Sequence, residues 1–274
     1  MKLKMNGGKN KGYTIIEVMI VLAITGVMFL LAAVFISGKQ DEVAFRQSVT
    51  DLNTDIQAAI NDVTNGFYPT GSGDQFNCSA GAGGSQPTIV AGTNGQGTNN
   101  GCIFLGKVLY FWTDAGGSKG YEIMSVAGNS TDSSGNPVQS LVDAKPTPII
   151  TTGVDATDYK SLENGLVFPD TNAVKESCSG CNDYAFAIFN NLANNNLNSS
   201  STPGVRAVSL YSMGSPPVTA GKPQTAVQNS VKNISDSNII DKVTVCVTNG
   251  DRQAYITIGG SGKLTTDITW GACP

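Results

Sequence analysis

Two groups of residues in this chain have the types and spacing to do chemistry. The first is Gly12, Tyr13 and Glu17. Gly12 closes a short basic leader, and Glu17 is a lone carboxylate at the head of a long apolar run. The chemistry this spacing offers is ion pairing at the carboxylate. A carboxylate at the head of a membrane segment is costly to place in lipid and is a functional hypothesis by default. The second group is six cysteines, Cys78, Cys102, Cys178, Cys181, Cys246 and Cys273, all beyond the apolar run. An even number in an exported domain predicts disulfides. Six cysteines allow fifteen connectivities, and local pairing is the expectation: Cys78–Cys102, Cys178–Cys181 and Cys246–Cys273. Cys178-Ser179-Gly180-Cys181 has the spacing of a redox or zinc half-site. A zinc site needs two further ligands, however, and the chain has no histidine. A thioredoxin-like motif opens a helix, whereas Asn182-Asp183-Tyr184 leads into a strand-like run, so a structural disulfide is the stronger reading. The lack of histidine also removes Ser/His and Cys/His nucleophile pairs. No catalytic residue, cofactor or metal is expected. Asn129-Ser130-Thr131 and Asn198-Ser199-Ser200 fit a glycosylation acceptor pattern that is frequent by chance in a chain rich in Asn and Ser.

The elements that position Gly12, Tyr13 and Glu17 are legible. The leader carries Lys2, Lys4, Lys9 and Lys11 and no acid, and positive charge ahead of an apolar span keeps that end cytoplasmic. Val18–Ile36 is 19 residues without a charge. As a helix it is about 28 Å long, close to the hydrocarbon thickness of a bilayer. An ordinary secretory signal has a shorter apolar region followed by a small-residue cleavage site. Ala32-Ala33 lies inside the run instead. A plain signal anchor explains the charges and the length but not the order glycine, Tyr, Thr, Ile, Ile, Glu. A lipoprotein needs a cysteine near the leader end, and the first is Cys78.

That order, Gly12-Tyr13-Thr14-Ile15-Ile16-Glu17 followed by Val18-Met19-Ile20-Val21-Leu22-Ala23-Ile24, resembles the cleavage and assembly signal of type IV pilins and pseudopilins. The resemblance covers about the first fifty residues. It implies cleavage of the Gly12–Tyr13 bond by a prepilin peptidase, N-methylation of the new amino group on Tyr13, and an assembly role for Glu17. Tyr13 stands where the family often has Phe or Met, and the ring is kept. Many pilins carry a proline midway along the apolar helix. Here Leu30–Ile36 has none, and Gly26 and Gly38 are the only helix weakeners nearby.

Beyond Gly38 the apolar pattern becomes periodic. Phe45, Val49, Leu52, Ile56, Ala59 and Val63 step by four, three, four, three and four, the mark of an amphipathic helix with one buried stripe. Asn65-Gly66 and Pro69 stop it. Residues 13–64 would make a rod of about 75 Å, in one piece or kinked at Ser37-Gly38.

Without the leader's four lysines, 13 basic side chains stand against 21 acidic ones, a net of −8. Charged residues are 14% of the chain, well below the usual quarter, and Gly, Ser, Thr and Asn take their place. This suits an extracellular domain with polar loops and argues against a nucleic-acid surface. Gly71–Gly101 and Asn190–Gly204 read as loops. Strand candidates are Cys102–Leu105, Val108–Trp112, Tyr121–Val126, Tyr184–Phe189, Val205–Tyr211, Lys242–Thr248, Arg252–Ile258 and Ile268–Trp270, with a hairpin turn at Asn249-Gly250. Antiparallel meanders fit better than βαβ units. The stretch Val243–Leu264, with its Cys246 and its Asn249-Gly250 turn, resembles the end of some minor pilins and pseudopilins.

The expected fold is α+β: a long N-terminal helix packed on an antiparallel β-sheet with long loops. The expected organisation is a leader at 1–12, a transmembrane assembly helix at 13–38, its amphipathic half at 39–66, and an extracellular β-rich domain at 67–274. The function this implies is a structural subunit, a minor or large pilin, of a type IV pilus-like filament. The same resemblance admits a pseudopilin of a type II secretion or competence system. A membrane-anchored adhesin that never polymerises is the reading of a different class. The implied partners are other pilin subunits, the prepilin peptidase and a membrane assembly platform. Localisation follows as the cell membrane, then an extracellular filament.

Overall fold

The structure is a computed structural model that describes residues 12–66, 76–92, 101–113, 119–151, 154–155, 157–168, 174–176, 182–183, 185–192, 208–213, 224–250, 252–260 and 264–274. The chain divides into two compact units, Met1–Arg46 and Gln47–Pro274. The fold is α+β and pilin-like: an N-terminal helix whose first part is apolar, followed by antiparallel sheets. That helix, α1, runs without interruption from Ile15 to Asn65, so the backbone has no break at Ser37-Gly38. In the first unit, Ile15–Ala32 is long and apolar enough to cross a membrane, and none of it is buried inside the structure.

The second unit is built from strands β1 (Phe76–Ser79), β2 (Thr88–Ala91), β3 (Cys102–Thr113), β4 (Lys119–Asn129), β5 (Thr147–Pro148), β6 (Ile150–Thr151), β7 (Val154–Asp155), β8 (Thr157–Ser161), β9 (Val174–Glu176), β10 (Asn182–Asp183), β11 (Ala185–Asn190), β12 (Val208–Ser212), β13 (Ile239–Ile240), β14 (Lys242–Asn249), β15 (Arg252–Gly259) and β16 (Thr266–Trp270). Two short helices join them, α2 (Leu141–Ala144) and α3 (Gln224–Lys232). Among the described residues, the larger sheet has the order β13-β12-β11-β3-β4-β5, with β8 also on β4. A second sheet has the order β10-β9-β14-β15-β16, and β1-β2 and β6-β7 are two-stranded. Every pairing is antiparallel.

The larger sheet is covered on both faces, which is why Ala185-Phe186-Ala187-Ile188-Phe189 is a continuous buried run and not an alternating one. One face packs Val108, Tyr110, Met124, Val126, Ala187 and Phe189 with Leu141 and Ala144 of α2 and Val227 and Val231 of α3. The alternation of a strand puts Lys107, Leu109 and Phe111 on the other face. Phe111 meets Phe168 there with ring centroids 4.4 Å apart, and Tyr121 and Phe186 lie beside it. This is also the face that α1 meets. Asp62 reaches Lys107, Nζ to Oδ2 2.5 Å, and the Tyr121 hydroxyl donates to Asp55 at 2.5 Å. Val49, Leu52, Ile56, Ala59 and Val63 are all buried. The helix also touches the second sheet, where Gln57 Nε2 donates to Thr266 Oγ1 at 2.7 Å.

Two glycines are required by close approach. Gly106 sits at an irregularity in β3 between Phe104 and Gly106, and a Cβ there would lie 2.0 Å from the Ile188 carbonyl oxygen. The chain therefore makes one strand of what reads in sequence as two, Cys102–Leu105 and Val108–Trp112. Gly259 has φ +81°, and a Cβ on it would lie 2.4 Å from the carbonyl of Asp241. Asp241 is where the chain leaves the larger sheet at β13 and enters the second at β14.

Part of the stretch read as loop, Gly71–Gly101, is ordered differently: β1 and β2 pair from Phe76↔Ala91 to Ser79↔Thr88. Cys78 is bonded to Cys102, tying this hairpin to the start of β3. Cys246 of β14 is bonded to Cys273 beyond β16. In both cases the Cα atoms are 5.9 Å apart, within the usual span of a disulfide. Cys178 and Cys181 lie outside the described residues, as does Asn198.

Candidate assembly site at the N-terminus

The first turn of α1 is built by Thr14 and Glu17. The Glu17 amide donates to Thr14 Oγ1 at 3.3 Å, and the Thr14 amide and hydroxyl both donate to Glu17 Oε2 at 3.3 Å. The Val18 amide donates to the Thr14 carbonyl at 3.2 Å. This is a reciprocal capping box: Thr14 satisfies an orphan amide of the helix start, and the third helical residue reaches back to satisfy the cap. The glutamate also places negative charge at the positive end of the helix dipole. Ahead of the cap, Gly12 and Tyr13 are non-helical. Nothing lies within 4 Å of where a Gly12 Cβ would be, and Tyr13 is 85% exposed. Both residues flanking the Gly12–Tyr13 peptide are thus exposed, and a free amine on Tyr13 would lie one residue before the cap.

The helix that follows gives Glu17 an apolar setting. Val18, Met19, Ile20, Val21 and Leu22 are all exposed. Thr25, a polar residue within the span, donates its hydroxyl to Val21 O at 2.9 Å and Leu22 O at 3.1 Å, so its polarity is met inside the helix. Charge returns beyond the span. Glu42 bonds Lys39 at 3.3 Å and Arg46 at 3.2 Å, one turn to either side. The Lys39 hydrogen bond and charge, helped by Arg46, hold the Glu42 carboxyl below the usual range.

The structure thus brings Gly12, Tyr13 and Glu17 together in one exposed segment. It adds Thr14, which the sequence reading missed. The signal was present: Thr14-x-x-Glu17 ahead of an apolar run is a capping-box pattern. The structure also bears on Asn129. This residue is 1% exposed. Its Oδ1 accepts from the Gly81 amide at 2.9 Å, and its Nδ2 donates to the Ser85 carbonyl at 2.8 Å. Both ends of the carboxamide hold the β1–β2 connection, so in the folded protein Asn129 is a structural residue and not a glycosylation acceptor. Among the described residues no group of three or more His, Cys, Asp or Glu side chains is placed to hold a metal ion.

Residues 7–33 match the family model for the prokaryotic N-terminal methylation motif, the class III signal of type IV pilins. No curated protein and no solved structure matches the chain.

Proposed function

We infer that the chain is a precursor of type IV pilin or pseudopilin kind, a structural protein, which the motif supports. It implies processing by a prepilin peptidase, membrane anchoring and assembly with other pilin subunits. We propose that this chain is a minor or large pilin of a type IV pilus-like filament. In this reading the peptidase cuts the Gly12–Tyr13 bond, Tyr13 is N-methylated, and the subunit waits in the membrane on α1. An assembly platform then passes it into the filament, where helices replace lipid around the apolar half of α1 and Glu17 pairs with the ammonium of a neighbouring Tyr13. The β-rich unit faces outward.

The observation that carries the reading is the matched motif at residues 7–33 heading an apolar helix, Ile15–Ala32, that is not buried among the described residues. An apolar span left bare needs lipid, other subunits, or each in turn. A pseudopilin of a secretion or competence system shares this helix, whereas an adhesin that never polymerises leaves the carboxylate of Glu17 no task beyond its capping box with Thr14.

Intact-mass measurement of the membrane protein tests the first step. The expected chain begins at Tyr13, and Gly12→Val, which puts a branched side chain beside the bond, is expected to retain the leader. An uncleaved wild-type chain, or one beginning after Ala33, refutes the reading.

A further inference from the structure

The apolar stripe of α1 does not by itself fix where the helix stands along the larger sheet. Consider the second half of α1 slid by one turn, so that each position is taken by the residue four further on. Ile56 then takes the place of Leu52, Ile60 that of Ile56, and Val63 that of Ala59. All five of these are buried apolar residues in the observed setting. The two carboxylates move without difficulty, since Asp55 takes the place of Asp51 and Asp62 that of Ala58, both of which are exposed. These positions accept the neighbouring setting, although Asn53 would then take the buried place of Val49 and Thr64 that of Ile60.

The polar ties do not survive the slide. Ala59 would stand at Tyr121 in place of Asp55, and Gly66 at Lys107 in place of Asp62. Lys107 has more at stake than Tyr121. Its side chain is 8% exposed, and its ammonium lies 2.5 Å from Asp62 Oδ2. A buried ammonium that loses its carboxylate is strongly disfavoured, far more than a phenol that loses an acceptor.

We propose that the Lys107–Asp62 ion pair is a register lock, which selects one axial setting of the second half of α1 from those its apolar stripe allows. The pair acts by excluding wrong settings more than by stabilising the right one, the best-attested role of a buried polar pair. Lys107 and Asp62 are thus positioning residues. In a subunit that polymerises through α1, this setting decides where along the second half of the helix the sheet stands. That consequence rests on the filament reading; the lock itself does not.

The test uses the full-length protein in detergent and a short bismaleimide, which reacts with free thiols and leaves disulfides alone. The pair Q57C/T266C reports the observed setting, because Gln57 and Thr266 are in direct contact. The pair N61C/T266C reports the setting one turn away. With Lys107 present, the first pair is expected to dominate. Lys107→Met keeps the length and removes the charge, and is expected to raise the yield of N61C/T266C relative to Q57C/T266C at least tenfold. K107D/D62K, with the charges exchanged, is expected to return the ratio to the wild-type value. The double variant K107M/D62A buries no charge alone and reads the same slide if Lys107→Met fails to fold. Folded K107M or K107M/D62A protein with an unchanged ratio overturns the lock, and so does K107D/D62K protein that populates both settings. Neither readout involves filaments, so it fails or succeeds independently of the filament reading.

Discussion

Glu17 has one task in this structure and a second in the proposed filament, and they can be separated by size. One is local: the carboxylate closes the capping box with Thr14. The other is the proposed ion pair with a neighbouring Tyr13 ammonium. Thr14→Val removes the hydroxyl that caps the Glu17 amide and leaves the charge. Losing an N-cap costs about 1 kcal/mol, which is about fivefold in the population of a properly started helix. Glu17→Gln does the reverse. Its amide oxygen still accepts from Thr14, as glutamine serves in a capping box, but the charge is gone. Breaking a buried ion pair by removing one partner costs about 3–5 kcal/mol, more than about a hundredfold in assembly. Insertion moves the other way: removing a carboxylate from the head of the span makes it more apolar, by less than the roughly 2.5–3.5 kcal/mol that applies at mid-bilayer. The assay measures membrane level and sheared-filament content separately. Glu17→Gln is expected to keep a normal or raised membrane level and to lose incorporation almost completely. Thr14→Val is expected to lose only a few-fold. Incorporation of Glu17→Gln within fivefold of wild type, or an equal loss in Thr14→Val, would mean that the carboxylate acts through the cap and that the ion-pair argument is wrong.

Other outcomes follow from the second unit. Asn129→Ala removes the partner of the Gly81 amide and of the Ser85 carbonyl, both part-buried bonds, at a cost of up to about 1–3 kcal/mol for a group that water does not reach. Urea unfolding should show it, with Asn129→Asp no rescue, because its second oxygen faces another acceptor. Ile56→Ala, at a fully buried position of α1, is expected to lose about 2–5 kcal/mol of stability in the same assay. Cys78→Ser/Cys102→Ser opens a loop of 24 residues and should cost about 3 kcal/mol; non-reducing peptide maps of the wild type should show Cys78 joined to Cys102 and Cys246 to Cys273. Burial, with the charge of Asp236 behind it, pushes the Tyr211 phenol up to about 12, and burial with Asp55 pushes Tyr121 up as well. Both phenols bind their protons more tightly folded than unfolded. The stability this gives is whole below the ordinary tyrosine pKa of about 10 and is lost as pH rises toward the folded values. Unfolding followed from pH 9 to 12 should show the decline, and Tyr211→Phe should flatten it.

What the sequence determined about this protein lies where structure is local. The basic leader, the uncharged span and the 3.6-residue stripe from Phe45 to Val63 each depend only on neighbours a turn or a few residues away, so α1 and its apolar first part were legible. The hairpin at Asn249-Gly250 was legible for the same reason, since Gly250 takes the positive φ such a turn needs. Even the Thr14–Glu17 box was written in a four-residue pattern, though it went unread. The tertiary structure decided what depends on distant partners. Ordinary Gly, Asn, Ser and Thr residues make a loop in one context and the β1–β2 hairpin in another, and here a disulfide to β3 and the carboxamide of Asn129 hold the hairpin in place. Helix α3 has only nine residues, too few to stand on its own propensity, and exists because Val227 and Val231 fill the far face of the larger sheet. Six cysteines allow many pairings, and the packing of elements distant in sequence brings Cys78 to Cys102 and Cys246 to Cys273. The apolar stripe of α1 shows which side of the helix is buried but not at what height. Side chains a long way off in sequence, Lys107 and Tyr121, decide that, because a buried charge must find its partner.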